Sequence, residues 1–194
     1  MPRSREEARR RLQQATLELF GERGYEATTT AEIAARAGVT ERTFFRHFPD
    51  KREALFDGED AFRATLSDAV LAAPEDLDPM GALLFAFRSV EQTLLENRPF
   101  SEPRAAVIAQ APALQERVLT KTAGLIDALS GALRRRGVEE GVAALAAQVG
   151  MAVFGHAART WIEDPSPGLA VHLERASQTL RGLSAQAGST GGRR

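Results

Sequence analysis

The stretch 39-VTERTFFRHFPDKREAL-55 determines what this chain folds into and what it contacts. On an ideal helix, with about 100° between successive residues, Phe44 and Phe48 point to one side. Arg42 and Arg46 point to the opposite side of the same helix. The stretch therefore predicts a short helix that is anchored by aromatic side chains and presents two guanidinium groups outward.

A second short helix precedes this one. The segment 31-AEIAARA-37 follows Thr30, a residue type that caps helices, and is followed by Gly38, which favours left-handed backbone geometry. Thr40 then caps the aromatic helix, which stops before Pro49. Two short helices joined by a three-residue turn that contains glycine form a helix-turn-helix pattern.

Helical periodicity continues along the whole chain, and no segment shows the sustained alternation of a strand. We therefore expect an all-α fold. The first helix should be capped by Ser4, end at Gly21 and Gly24, and bury a stripe formed by Leu12, Ala15, Leu19 and Phe20. Asp50 should cap a long helix that ends near Ala73. Further helices are predicted over residues 80–97, 102–110, 112–136, 138–163 and 168–185, with breaks at Pro99, Pro103, Pro112 and Gly137.

Composition excludes several classes of protein. The chain has no cysteine, which rules out disulfides, thiol nucleophiles and cysteine-ligated metals, and its three histidines lie in separate helices without metal-ligand spacing. It shows no phosphate-binding loop and no nucleophile elbow. We expect no enzymatic activity, no cofactor and no metal site.

The N-terminus does not resemble a secretory signal, and no apolar run approaches the roughly 20 residues that span a bilayer, so we expect a cytoplasmic protein without a membrane partner.

Charge and composition suggest how the chain is divided. Residues 1–56 carry 11 basic and 9 acidic residues, whereas residues 57–194 carry 14 and 17. This asymmetry is compatible with an N-terminal part that faces nucleic acid and an acidic remainder. We predict a helix-turn-helix DNA-binding domain over 1–56, a larger helical ligand-binding and dimerisation domain over 57–185, and a flexible Gly/Ser-rich tail over 186–194.

The outward side chains indicate how the helix would contact double-stranded DNA. Arginine can donate two hydrogen bonds to guanine in the major groove, so Arg42 is the first candidate for reading a base, with Thr43 beside it. Arg46 either reads a base or holds a phosphate. Phe45 has no donor and can pack only against sugar or a thymine methyl group. The residues at helix ends that suit phosphate contacts are Thr29, Thr30, Thr40, His47 and Lys51.

The run TTTAEIAARAGVTERTFFRHFPDKREAL resembles the signature of the TetR (tetracycline-repressor-like) family of bacterial transcription regulators, and the preceding LELFGERGYEATT fits it too. The resemblance spans about residues 8–56. It implies that three N-terminal helices bind DNA and that the helical C-terminal part dimerises and holds a small-molecule pocket. It implicates Thr30, Thr40, Arg42, Thr43, Phe45, His47 and Lys51 in operator contacts. Family members usually have tyrosine where this chain has Phe45, so a phosphate hydrogen bond is lost or is replaced by Arg46.

The C-terminal part carries the signals for a homodimer and an effector pocket. The helix over 138–163 is rich in alanine and glycine, and the last helix has leucines at helical spacing, so the two could form a four-helix interface with a second copy. Effector cavities are usually apolar. The pocket candidates, for each of which a plain core role is the better explanation, are Phe87, Val90, Leu94, Val107, Leu125, Met151 and Phe154.

These features predict a ligand-responsive transcriptional regulator, most often a repressor in this family. It would bind an inverted-repeat operator as a dimer and be released by a small apolar effector. The alternative is a helical small-molecule binding or scaffolding protein that no longer binds DNA. The sequence identifies neither the operator nor the effector.

Overall fold

A computed structural model describes residues 2–189 of the chain, with side chains described for residues 5–185. The described residues form ten α-helices and no strand, which confirms the predicted all-α fold. In chain order the helices are α1 (Pro2–Arg23), α2 (Thr30–Arg36), α3 (Glu41–His47), α4 (Lys51–Leu55), α5 (Glu59–Ala72), α6 (Pro79–Ser89), α7 (Glu91–Ala109), α8 (Pro112–Arg135), α9 (Glu140–Glu163) and α10 (Leu169–Ser189).

The chain divides into two compact units. Unit 1 comprises Met1–Phe62 and Leu95–Thr122, and unit 2 comprises Arg63–Leu94 and Ala123–Arg194. This division follows packing and does not test the functional boundary at residue 57, which stays a prediction.

The core of unit 1 holds the helix-turn-helix together. The predicted inward residues of α1 and the anchoring rings Phe44 and Phe48 are all buried, and so are Ile33 and Ala34 of α2. They pack with apolar side chains from α4, α7 and the start of α8. The largest of the fully buried side chains are Phe20, Phe44 and Phe56. Burying an aromatic side chain of this size contributes roughly 1.5–3 kcal/mol, so these rings fix the orientation of the short helices around them.

Unit 2 is built around α9, which packs against α6 and α10. The contact with α6 is close because position 150 is glycine: a Cβ there would lie 2.8 Å from Leu83 Cδ1. At the end of α5, the Arg136 guanidinium donates to the carbonyl oxygens of Val70 (3.2 Å) and Ala73 (2.5 Å). Arg136 therefore caps a neighbouring helix, a role that its position at the end of α8 did not reveal.

The predicted long helix after Asp50 is wrong in one respect. Asp50 does cap a helix, since its Oδ1 accepts from the backbone N–H groups of Arg52 and Glu53. The helix ends at Leu55, however, and a second helix starts at Glu59. The break contains Gly58, whose φ of +86° belongs to the left-handed region and cannot continue a right-handed helix.

The predicted break at Pro99 and Pro103 is also wrong. Helix α7 runs from Glu91 to Ala109 with both prolines inside it, and the chain breaks instead at Val90. Both prolines are exposed, so water can satisfy the carbonyl groups that a proline leaves without an N–H donor. The local rule that proline ends a helix is overridden here.

The ends of three elements also differ from the predictions. Helix α1 begins at Pro2, which suits the first helical position, so Ser4 lies inside the helix. Helix α2 is capped by Thr29, and Thr30 is its first residue. Helix α10 continues to Ser189, so residues 186–189 of the predicted flexible tail are helical, while residues 190–194 lie outside the described residues.

Candidate nucleic-acid interface

Helix α3 has the two-sided arrangement that its sequence predicts. Phe44 and Phe48 are 0% and 3% exposed, whereas Arg42 and Arg46 are exposed on the other side. Thr40 caps the helix, because its Oγ1 accepts from the backbone N–H of Thr43 at 3.2 Å. The helix is thus fixed by its buried rings while its guanidinium groups face solvent.

The turn between α2 and α3 sets the direction of α3 relative to α2. Gly38 has a φ of +68°, in the left-handed region that a side chain makes costly. Its N–H donates to Ala35 O at 3.1 Å, and the next N–H, of Val39, donates to Ala34 O at 2.9 Å. These bonds close the end of α2 and allow the chain to turn sharply into α3.

The exposed face of α3 forms a shallow concavity of about 450 Å³. It is lined by Thr40, Arg42, Thr43, Phe45 and Arg46. The Phe45 ring is 52% exposed and meets Phe44 edge to face, with ring centroids 5.5 Å apart. Five residues that the sequence selected for DNA contact are therefore brought together on one surface.

The cations on this face are available to an external anion. Within residues 5–185, neither Arg42 nor Arg46 has a carboxylate at ion-pairing distance. By contrast, Arg36 on α2 binds Glu22 at 2.9 Å, and this hydrogen bond lowers the pKa of the Glu22 carboxyl. Arg42 and Arg46 thus lie on the exposed face of α3 without an acidic partner among the described side chains.

Two threonines predicted to contact phosphate also make hydrogen bonds within the helix-turn-helix. The Thr29 hydroxyl oxygen accepts from Glu32 N at 3.2 Å and the Thr29 backbone N–H donates to Glu32 Oε2 at 2.9 Å, which together form a capping box. The Thr29 hydroxyl also donates to Glu32 Oε2 at 2.8 Å. The Thr30 hydroxyl donates to Glu41 Oε1 at 2.5 Å and so links α2 to α3. Both hydroxyl protons are engaged within the protein, while Thr29 as a whole is exposed and Thr30 is half-buried.

Lys51 has a structural role that the sequence did not reveal. Its ammonium group donates to Tyr25 O at 2.6 Å and to Thr28 O at 2.8 Å, and lies 4.2 Å from the centre of the Tyr25 ring. An ammonium group has three donors, so at most one remains for a phosphate. Lys51 ties the first turn of α4 to the loop that precedes α2.

His47, at the end of α3, lies in an environment that disfavours the protonated imidazole. Burial, and then the charges of Arg46, Arg5 and Arg9, lower the pKa of its imidazole, while Asp57 opposes them. Its Nε2 is buried without a hydrogen-bond partner among the described residues. A direct contact to phosphate would therefore have to use Nδ1.

Two family descriptions match the sequence. "Bacterial regulatory proteins, tetR family" matches residues 12–57, which include the whole surface described above, and "MftR C-terminal domain" matches residues 77–184. The chain belongs to the TetR family of bacterial transcription regulators. The predicted resemblance is confirmed, and TetR-family proteins are DNA-binding regulators rather than enzymes.

Three similar proteins show how far the likeness extends. The HTH-type transcriptional repressor Rv3405c of Mycobacterium tuberculosis is 33% identical over 171 residues, which cover 74% of this chain and 91% of that protein. The regulator TcmR of Streptomyces glaucescens is 39% identical over 82 residues, so the chain spans only 36% of its length. Thermus thermophilus FadR in complex with lauroyl-CoA is 26% identical with a TM-score of 0.54, covering 89% of this chain and 92% of that one.

The residues predicted to line an effector pocket are divided between the two units. Phe87 and Phe154 stack with ring centroids 4.6 Å apart inside unit 2. Val90 is buried in the same unit, where Leu94, Leu125 and Met151 are half-buried. Val107 belongs instead to the core of unit 1. The structure therefore brings Phe87 and Phe154 into contact, whereas Val107 belongs to the core of the other unit.

Sequence reasoning missed a group of ion pairs in unit 1. Glu53, on α4, accepts from Arg117 Nε at 2.7 Å and lies 3.3 Å from Lys121 Nζ. Glu59 binds Arg104 at 3.2 Å, and burial raises the pKa of its carboxyl while Arg104 and Lys121 oppose the rise. The one local signal was the four-residue spacing of Arg117 and Lys121, which places both cations on one side of α8.

Proposed function

We propose that this protein is a ligand-responsive repressor that binds an inverted-repeat operator as a homodimer and is released by a small apolar effector. The observation that supports the proposal best is the pair of exposed arginines, Arg42 and Arg46, on a helix anchored by Phe44 and Phe48. A rigid helix with outward guanidinium groups and no competing carboxylates fits the major groove.

Within this function, each side chain of the interface has a distinct role. Arg42 reads a guanine with two hydrogen bonds, and Thr43 contacts the neighbouring base. Arg46 reads a base or holds phosphate, and Phe45 packs against sugar or a thymine methyl group. Thr29, Thr30, Thr40, His47 and Lys51 border this surface, where they position the backbone. For Thr29, Thr30 and Lys51, binding the DNA backbone is secondary to the internal hydrogen bonds described above.

The proposed dimer would use α9 and α10. Val142 and Leu145 on α9 are 50% and 62% exposed, and Leu183 on α10 is 62% exposed. Helix α9 is also strongly apolar, with a mean hydropathy of 1.4 over 18 of its residues. We infer that a second copy covers this apolar surface, in agreement with the dimers that are typical of TetR-family regulators.

An apolar effector is supported by the composition of unit 2. The stacked Phe87 and Phe154 rings provide the kind of aromatic wall found in small-molecule sites. The FadR structure similar to this chain contains lauroyl-CoA, a ligand with a long apolar chain. The effector would have to bind one conformer better than another, because a ligand with equal affinity for both shifts no equilibrium.

The family matches support two functional domains along the chain. Residues 12–57 and 77–184 correspond to the two TetR-family descriptions, in agreement with a DNA-binding domain over 1–56 and a ligand-binding and dimerisation domain over 57–185. We propose that the protein acts in the cytoplasm, where its operator is accessible.

The test is selection of bound duplexes from a random DNA pool, followed by titration of the enriched duplex at two salt concentrations. An inverted repeat bound far more tightly than a scrambled duplex supports a dimeric, sequence-specific regulator. Binding without an enriched sequence, or no binding at low salt, contradicts the proposal. That outcome would favour the alternative, a helical small-molecule binding or scaffolding protein that no longer binds DNA.

A further inference from the structure

Helix α4 makes polar contacts in two directions. Lys51, its first residue, donates to the carbonyl oxygens of Tyr25 and Thr28, in the loop that precedes α2. Glu53, two residues later, is bound by cations of α8. Because α4 has only five residues, a shift of α4 against α8 also moves the loop that leads into the helix-turn-helix.

The ion pairs of Glu53 engage both of its carboxylate oxygens. Arg117 binds Oε1 through Nε at 2.7 Å and through Nη2 at 2.6 Å, and Lys121 Nζ lies 3.3 Å from Oε2. The side chains of Glu53, Arg117 and Lys121 are 20%, 30% and 17% exposed. Ion pairs shielded from water in this way are screened by salt less than surface pairs are, and removing one partner leaves a charge without compensation.

Arg104, on α7, adds a contact to the same part of the chain. Its guanidinium donates to Leu55 O at 3.4 Å, at the end of α4, and binds Glu59 Oε1 at 3.2 Å. It also lies 5.6 Å from the centre of the Phe56 ring. Cations from α7 and α8 therefore hold α4 and the start of α5.

The contacts of Glu53 join the two parts of the chain that the family descriptions match separately. Glu53 lies within residues 12–57, whereas Arg117 and Lys121 lie within residues 77–184. Helix α8, which carries both cations, is continuous from Pro112 to Arg135. In a dimer formed by the second part, the spacing between the two recognition helices depends on how firmly α4 is held to α8.

We propose that the ion pairs of Glu53 with Arg117 and Lys121 determine which half-site spacing the protein accepts. The inference deepens the proposed function, on which it rests, and assigns specificity to residues that do not touch DNA. One extra base pair moves a half-site by about 3.4 Å and rotates it by about 35° around the duplex axis. A helix-turn-helix held through two ion pairs cannot follow this displacement, whereas one with a released α4 can.

The test compares the full-length protein with Glu53→Gln on the selected operator and on duplexes with one base pair added or removed between the half-sites. The quantity measured is the affinity for the operator divided by the affinity for each altered duplex. In Glu53→Gln this ratio should fall about fivefold or more, which is the lower end of typical coupling between two sites. The half-site sequence recovered by selection should stay the same. An unchanged ratio would overturn the inference, and so would a changed half-site sequence, because it would mean that α3 itself was disturbed.

Glu102→Gln is the matched control. Glu102 pairs with Arg98 at 2.9 Å on the same helix, α7, so this change removes the same charge without separating two helices. The control should keep the wild-type ratio. An equal fall in the control would overturn the inference, because net charge alone would then explain the result.

Lys121→Gln is a milder variant that keeps the experiment decisive if Glu53→Gln does not fold. It removes the longer of the two ion pairs and leaves the contact between Glu53 and Arg117 intact. The ratio should fall in the same direction but by less. An unchanged ratio in a folded Lys121→Gln protein would contradict the inference.

Arg117→Gln separates an action through the ion pair from a general loss of stability. If Glu53 and Arg117 act through their mutual contact, the double variant should lower the ratio no further than Glu53→Gln alone, and additive losses would contradict this. A purely structural role would lower the free energy of unfolding in urea and leave the ratio unchanged. A wild type that selects no inverted repeat would contradict the proposed function itself, whereas an inverted repeat with the same ratio in Glu53→Gln contradicts only the present inference.

Discussion

Replacing Lys51 with methionine distinguishes a structural role from a DNA contact. The ammonium group makes hydrogen bonds of 2.6 and 2.8 Å to the carbonyls of Tyr25 and Thr28. Hydrogen bonds that involve a charged donor contribute about 1.5–3 kcal/mol each, and the half-buried position of Lys51 places these near the lower end. We expect Lys51→Met to lower the free energy of unfolding by about 2–4 kcal/mol. Methionine removes the ammonium group and its contacts but keeps an unbranched, flexible side chain.

The assay is urea denaturation followed by circular dichroism, paired with DNA titrations at several salt concentrations. Arg52→Met is the matched control, because Arg52 is adjacent, carries the same charge and makes an exposed ion pair with Asp50 at 3.0 Å, which contributes little. The control should change stability by less than about 1 kcal/mol. If Lys51→Met left the denaturation midpoint unchanged and instead lowered the salt slope by about one, the reasoning would be refuted, because Lys51 would be a phosphate contact.

Four other substitutions test separate parts of the structure. Arg42→Ala should cost about 1–3 kcal/mol of operator binding and relax the preference at one base position per half-site, as a repeated duplex selection would show; equal loss on every sequence would remove its base-reading role. Gly38→Ala should lower stability by about 1–2 kcal/mol in denaturation experiments, because the φ of +68° strains a side chain. Leu145→Glu should shift the dimer to monomer in analytical ultracentrifugation, whereas Leu119→Glu, at a site that is also exposed, should not. The raised pKa of the Glu59 carboxyl means that the folded state binds this proton more tightly than the unfolded state, so the stability of the wild type falls as pH rises above about 4.5. Glu59→Gln should therefore make stability, measured by denaturation, depend less on pH in that range.

The recognition surface was predictable because its signals are local. Thr40 and Asp50 cap helices by bonding backbone groups two or three residues away, so the short sequence around them contains the whole interaction. The opposed directions of Phe44 and Arg42 follow from helical geometry alone. For the same reason, the fold class and the position of the helix-turn-helix could be predicted without any tertiary information.

Helix boundaries were less predictable, because local signals there competed with packing. The prediction of one continuous helix after Asp50 did not take account of the Asp-Gly pair at residues 57–58, which favours a turn. At Pro99 the error was the opposite one, since a strong helix-breaking signal was overridden by the packing of α7 in unit 1. Where a helical pattern contains a glycine or a proline, the helix boundary therefore depends on tertiary contacts that the sequence does not show.

The contacts that hold the recognition helix in place were not predictable, because their partners are distant in sequence. Lys51 binds carbonyls 23 and 26 residues away, Asp57 binds Arg9 across 48 residues, and Glu53 binds Arg117 across 64. Basic residues beside a helix-turn-helix look alike in sequence whether they bind phosphate or protein. Loss of DNA binding on substitution of Lys51 or Arg9 is therefore not evidence of a DNA contact. A stability measurement must accompany it, because these two side chains are bound to protein atoms while Arg42 and Arg46 have no acidic partner among the described side chains.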